Sequence, residues 1–166
     1  MKLCILGNPN NIHIRRWVTH FASEGVEVHW IGEHVPINAA PRGIEFIDLT
    51  HTFNFRKLRY LVWAIQVHNL VRKIKPDVLH AHGLTSAGWL AVAAGYHPTL
   101  VTAHGSDLML LEKRSWVHQA LNRWVLHKAD YVTCVSNLLA EKAANLGVPV
   151  DRLRVLYLGV DTQVFH

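Results

Sequence analysis

Cysteine is scarce: Cys4 and Cys134 are the only two in 166 residues. Both sit in short apolar runs, so they read as small core residues of a reducing compartment rather than a disulfide, and two thiols alone cannot build a zinc site. Long apolar runs are missing as well. The longest, Ala87–Tyr96, falls well short of the roughly 20 residues that cross a bilayer. The opening Met-Lys-Leu-Cys-Ile-Leu reaches Gly7-Asn8-Pro9 before a secretory core of about 7 apolar residues could form. A cytoplasmic location is therefore expected. No G-x-G-x-x-G follows the first apolar run and no G-x-x-x-x-G-K-[ST] occurs, which argues against a dinucleotide site of the usual kind and against a P-loop. Basic and aromatic residues form no regular stripe of the kind that stacks bases, so nucleic acid is not an expected partner.

What is present fits one globular domain: half of the residues are hydrophobic and 17% are charged. The net charge of +5 favours anionic partners such as sugar phosphates or anionic lipid. Thirteen histidines are scattered, and their number alone identifies no site.

The most informative stretch is Pro76–Asp107, PDVLHAHGLTSAGWLAVAAGYHPTLVTAHGSD. Two apolar runs, Val78–Ala81 and Leu100–Ala103, each deliver a His-Gly pair, His82-Gly83 and His104-Gly105, with a small-residue helical pattern between them. This predicts strand, crossover helix, strand. Parallel strands need such a crossover, and ligands bind at the carboxyl ends of those strands. His80 and His82 share a face of their strand; His82 is placed at the mouth and His80 under a helix. Gly83 and Gly105 leave room for close approach, and Ser106 and Asp107 add a hydroxyl and a carboxylate.

Around this unit the pattern predicts strands at Lys2–Gly7, Val26–Ile31, Gly43–Leu49, Ala129–Val135 and Leu153–Leu158. Helices are predicted from Ile14 to Glu24-Gly25 with Asn10 or Asn11 as cap, over Phe55–Lys75, from Trp116 to Leu126, and from Ser136 or Asn137 through Leu146. The Phe55–Lys75 helix carries two apolar stripes, Leu58, Leu61, Val62 and Ile65 beside Tyr60, Trp63, Val67, Leu70 and Ile74, and so is expected to be well buried. The fold class is α/β: a Rossmann-like, doubly wound parallel sheet of about seven strands. The first loop, Gly7 to Asn11 followed by His13, Arg15 and Arg16, admits two readings. Free amides and guanidinium could hold a phosphate, or the turn is an ordinary Asn-capped helix start.

PDVLHAHG, LVTAHGSD, ADYVTCVSN and LRVLYLGVDTQVFH, in this order and spacing, resemble the amino-terminal half of a retaining glycosyltransferase of GT-B fold, family 4 (group 1). The resemblance implies two Rossmann-like domains facing across a cleft, the first binding the acceptor and the second the nucleotide-sugar donor. It places His104 at the transferred sugar as the catalytic position. Gly7, Asn8, Asn11 and His13 would form the first loop, Arg15 or Arg16 would neutralise phosphate, and His82, Gly83, Gly105, Ser106, Asp107, Ser136 and Asn137 would line the cleft as substrate-binding residues.

Two features depart from the family pattern. The first loop has one glycine, Gly7, where many members have two adjacent ones. The spaced pair of glutamates of the donor domain is missing among Glu24, Glu27, Glu33, Glu45, Glu112 and Glu141. Residues 1–158 are therefore expected to be the acceptor-side domain and 159–166 the start of a linker to a donor-binding domain, with no turnover by 1–166 alone.

The expected partners are a nucleotide-sugar donor, an acceptor that is a glycan, a lipid-linked sugar or a small molecule, and an anionic membrane surface. That surface would be met by Arg56, Lys57 and Arg59 beside Phe53, Phe55 and Tyr60, which places the protein in the cytoplasm or at the inner face of the membrane. No cofactor or metal is expected. Two alternatives stay open: a metal-dependent hydrolase using His82, His104 and Asp107, with His80 beside them, and a non-catalytic module that binds anions or membrane.

Overall fold

In the computed structural model, residues 1–34, 36–50 and 58–159 are described. Seven strands form one sheet in the order β3-β2-β1-β4-β5-β6-β7, and every neighbouring pair is parallel. The strands are β1 (Lys2–Leu6), β2 (Glu27–Gly32), β3 (Glu45–Asp48), β4 (Val78–His82), β5 (Thr99–Ala103), β6 (Tyr131–Cys134) and β7 (Leu153–Val155). The helices are α1 (Ile12–Ser23), α2 (Arg59–Ile74), α3 (Trp89–Ala93), α4 (Ser106–Met109), α5 (Trp116–Lys128) and α6 (Asn137–Asn145). The strand order reverses between β1 and β4. Loops leaving these two strands diverge to opposite sides, which opens a crevice at their carboxyl ends.

Period-2 alternation sorts the strand residues between two faces. Cys4, Leu6, Leu79, Ala81, Val101, Ala103, Val132 and Cys134 face the larger core, shared with Trp63, Val67 and Val71 of α2, Leu90 of α3, Val125 and Leu126 of α5, and Leu139 and Ala143 of α6. Burial pushes the Cys4 thiol up to about 12, so it stays a neutral core residue. The opposite face packs Leu3, Ile5, Val28 and Trp30 against Ile14 and Val18 of α1. Among the described helices only α1 covers this second face. Further along it, Tyr131 of β6 is 50% exposed and Leu156, just past β7, is 44% exposed.

Three expectations are corrected. The crossover between β4 and β5 is not one helix: Leu84–Gly88 is an irregular turn with Ser86 at φ 51°, and only the five residues of α3 follow as helix. Gly83 at φ 100° starts that turn in a conformation that glycine tolerates best. Helix α2 is buried along one stripe only. Trp63, Val67 and Val71 face the core, whereas Leu58, Leu61 and Ile65 are 53%, 62% and 55% exposed, because a helix laid on a sheet has a single inward face. Finally, β7 ends at Val155 rather than Leu158. Phe53, Phe55, Arg56 and Lys57 lie outside the described residues.

Candidate functional site

The carboxyl ends of β1, β4, β5 and β6 bring most of the expected residues to one edge of the sheet. At the switch point the backbones approach so closely that a Cβ on Gly7 would meet Ile14 Cδ1 at 2.8 Å and His82 Cβ at 3.3 Å. A side chain at Gly7 would therefore press on α1 and β4. The Gly7 carbonyl accepts from the Trp30 indole at 3.3 Å.

The first loop resolves in favour of a capped helix start. Asn8 Oδ1 accepts from the Asn10 amide at 2.9 Å, and Asn11 Oδ1 accepts from the amides of His13 at 2.9 Å and Ile14 at 3.4 Å. Amides that could have held a phosphate are thereby occupied. Arg15 donates to the carbonyls of Pro9, Asn38 and Ala39 and lies over the Trp30 ring, tying two loops together. Arg16 is exposed and donates once, to the Gly159 carbonyl at 3.0 Å.

The histidines form the centre of the site. His82, the last residue of β4, is 5% exposed, and its Nδ1 lies 3.0 Å from His104 Nε2, just past β5. His13 from the first turn of α1 stacks on His104 with ring centroids 6.5 Å apart. His80 lies beneath: its ring is 4.2 Å from that of His82, and its Nε2 bonds Thr102 Oγ1 at 2.7 Å, which bonds Thr133 Oγ1 at 2.6 Å. The Trp17 ring of α1 meets the rings of both His80 and His82 in edge-to-face contact.

This packing decides the charge state. Burial pushes the His80 imidazole down to about 3 and, with His80 and His104 adjacent, holds His82 well below the ordinary range. His104 is also held low by burial and by His13, against the opposing pull of the Asp107 carboxylate. All three rings are neutral at physiological pH.

Asp107 acts as a clamp. Its Oδ1 accepts from the amides of Gly105 at 2.9 Å and Leu108 at 3.1 Å, while Oδ2 accepts from Leu84 at 3.1 Å and His104 at 3.4 Å. It therefore joins the loop after β5 to the loop after β4. Gly105 adopts φ 138° and Gly83 donates to the Thr102 carbonyl at 2.8 Å. Ser106 is exposed at the start of α4, Ser136 caps α6 by accepting from Leu139 at 3.4 Å, and Asn137 is exposed beside it. A metal centre built on His82, His104 and Asp107 has no geometric support. The two rings bond each other, the carboxylate is taken up by amides, and the described residues include no group of three ligands able to hold an ion.

Beside the histidines, between α1 and the chain after β7, lies a cavity of about 670 Å³ bordered by His13, Arg16, Trp17, Phe21, Leu156 and Tyr157. Three features of the neighbourhood escaped the sequence. Trp17 read as a core residue at helical spacing. Thr102 and Thr133 could have been placed beside His80 only by the strand register. Glu33, just past β2, is buried with its Oε2 unpartnered; a lone carboxylate after an apolar strand was the available signal.

Residues 2–136 match a family model described as "Glycosyl transferase 4-like". No curated protein matches. Among solved structures, sucrose-phosphate synthase from Thermosynechococcus elongatus is similar at 15% identity and TM-score 0.72, over 100% of this chain and 50% of that one. Anabaena Alr3699/HepE, in complex with UDP and glucose, is similar at 16% and 0.72, over 99% and 46%. The UDP-GlcNAc 2-epimerase from Neisseria meningitidis, bound to UDP-GlcNAc, is similar at 16% and 0.68, over 93% and 46%. At these identities the likeness concerns the fold, and the chain spans about half the length of the structures it matches.

Proposed function

The chain belongs to the glycosyl transferase 4-like family, and on that premise we propose that it is the acceptor-side domain of a retaining glycosyltransferase that takes its sugar from a nucleotide-sugar donor. The observation that carries this reading is the His82–His104 pair at the sheet's switch point, beside a cavity whose border includes His13 and Arg16. His104 is the hydrogen-bonding group for the transferred sugar. Retaining transfer also needs positive charge near the leaving diphosphate while the acceptor hydroxyl attacks the same face of the anomeric carbon, and preorganised donors contribute most to such a step. Arg16 suits that role, because Arg15 is committed to three carbonyls.

The donor's nucleotide is assigned to a second domain. Similarity over only about half of each neighbour and the sparsely covered sheet face beyond α1 support this division. The acceptor is a glycan, a lipid-linked sugar or a small molecule, met in the cytoplasm or at a membrane face. UDP-GlcNAc 2-epimerases share the fold, but the family match favours transfer over epimerisation.

The test joins residues 1–166 to a donor-binding domain and assays UDP- and GDP-sugars with acceptor panels, reading product configuration by NMR. Transfer with retention is expected, with His104→Ala lowering kcat on the order of 100-fold. Inversion at the anomeric carbon, or epimerised donor with no transfer, would overturn the reading.

A further inference from the structure

We infer that His82 is a positioning residue: its Nδ1–H donates to His104 Nε2 and so fixes His104 in the tautomer that carries its own proton on Nδ1. The functional meaning of this assignment rests on the proposed role of His104, but the tautomer itself does not.

The argument begins with a proton count. A neutral imidazole carries one proton on one of its two nitrogens. Two neutral rings joined by an N···N contact of 3.0 Å place one proton between them and one on an outer nitrogen. Those outer nitrogens, His82 Nε2 and His104 Nδ1, are both buried without a hydrogen-bond partner. One of them therefore bears an unpaired N–H and the other an unpaired lone pair.

Position decides which is which. His82 is 5% exposed, closed in by the His80 ring on one side and the Trp17 ring on another. His80 Nε2 is taken by Thr102, and His82 Nε2 has no hydrogen-bond partner among the described residues. An orphaned N–H in such a place is among the least tolerated of buried groups, whereas a bare lone pair is tolerated better. His104 is the less enclosed ring, half-buried at the mouth of β5. The groups facing it are His13, stacked above, and the Asp107 carboxylate, whose negative charge favours a proton on this ring. Both considerations put the second proton on His104 Nδ1. With its proton on Nδ1 and its Nε2 occupied by His82, His104 is a hydrogen-bond donor and not a base, which argues against a role in removing a proton from the acceptor.

The experiment uses residues 1–166 labelled with ¹⁵N-histidine, and reads tautomers from long-range ¹H–¹⁵N correlations at neutral pH. Both His82 and His104 are expected as Nδ1–H tautomers with bare Nε2. Both as Nε2–H, or either as imidazolium, would overturn the inference.

His82→Asn places an amide N–H near the former Nδ1 and is expected to leave the His104 tautomer unchanged. His82→Leu removes the donor and is expected to shift His104 toward Nε2–H. A His104 unmoved in the Leu variant, with the remaining histidine signals native, would also overturn it. In the two-domain enzyme His82→Leu should lower kcat about tenfold with donor KM little changed, the scale of one hydrogen bond, and His82→Asn should recover most of it. Equal kcat losses in both variants would assign His82 a merely structural role. A confirmed tautomer in a protein without transferase activity would instead overturn the functional reading and leave the positioning intact.

Discussion

At the scale of single residues, buried ionisable groups pull stability in opposite directions with pH. His80 titrates at about 3 in the folded chain against an ordinary 6.5, and His82 and His104 are lowered as well. Above 6.5 these rings are neutral in both states. Below 6.5 the unfolded chain binds protons that the native rings refuse, so stability falls as pH drops, by about 2 kcal/mol at pH 5 from His80 alone.

Glu33 has the reverse sign. Burial pushes its carboxyl up to about 7 from 4.5, so the native state holds a proton that the unfolded chain has lost, and stability falls as pH rises from 4.5 to 7. Glu33→Gln is expected to stabilise the protein by about 3 kcal/mol at pH 8 and by under about 1 kcal/mol at pH 5. Urea unfolding at the two pH values measures this. An equal effect at both would mean that Glu33 is not a buried charge.

At the scale of elements, the site depends on how two loops are joined and on what α2 leaves outside. Asp107 accepts from amides of both the β4 and β5 loops. Asp107→Ala should therefore destabilise by about 2–4 kcal/mol, with Asp107→Asn milder because its carbonyl oxygen still accepts. Denaturant midpoints would show this, and loosened His82–His104 coupling should accompany it in the histidine spectra. Leu61 and Ile65 of α2, with Leu58 just before it, are exposed, whereas the Arg59 guanidinium sits over the Tyr60 and Trp63 rings at 5.2 and 5.3 Å. If this face met an anionic bilayer together with Arg56, Lys57 and Arg59, each charge would add about 1 kcal/mol. Sedimentation with vesicles should require anionic lipid, weaken with salt, and fall when Leu61 and Ile65 become Gln or when Arg56, Lys57 and Arg59 become Gln. Equal sedimentation of these variants and the parent chain would exclude this surface.

At the scale of the whole molecule, one sheet face carries the larger core under α2, α3, α5 and α6, while the other has α1 alone among the described helices. On the proposed function, residues 1–166 by themselves should fold cooperatively yet transfer no sugar, and the same chain joined to its donor-binding half should turn over. Transfer by 1–166 alone at an ordinary enzymatic rate would overturn the division of labour.

The sequence by itself determined the parallel α/β sheet, because apolar runs alternating with helical periodicity and two strand ends marked His-Gly leave few other topologies. It also placed His80 below and His82 at the mouth, since period 2 and strand length are local properties. Only the tertiary structure decided that α2 hides one stripe of two, because burial depends on which neighbours exist. It decided as well that Asn11 fills its own helix start, that Arg15 ties loops while Arg16 borders the cavity, and that Asp107 clamps amides. Above all it brought His82 within 3.0 Å of His104. That contact spans two strands and depends on their register, which no local pattern in either strand encodes.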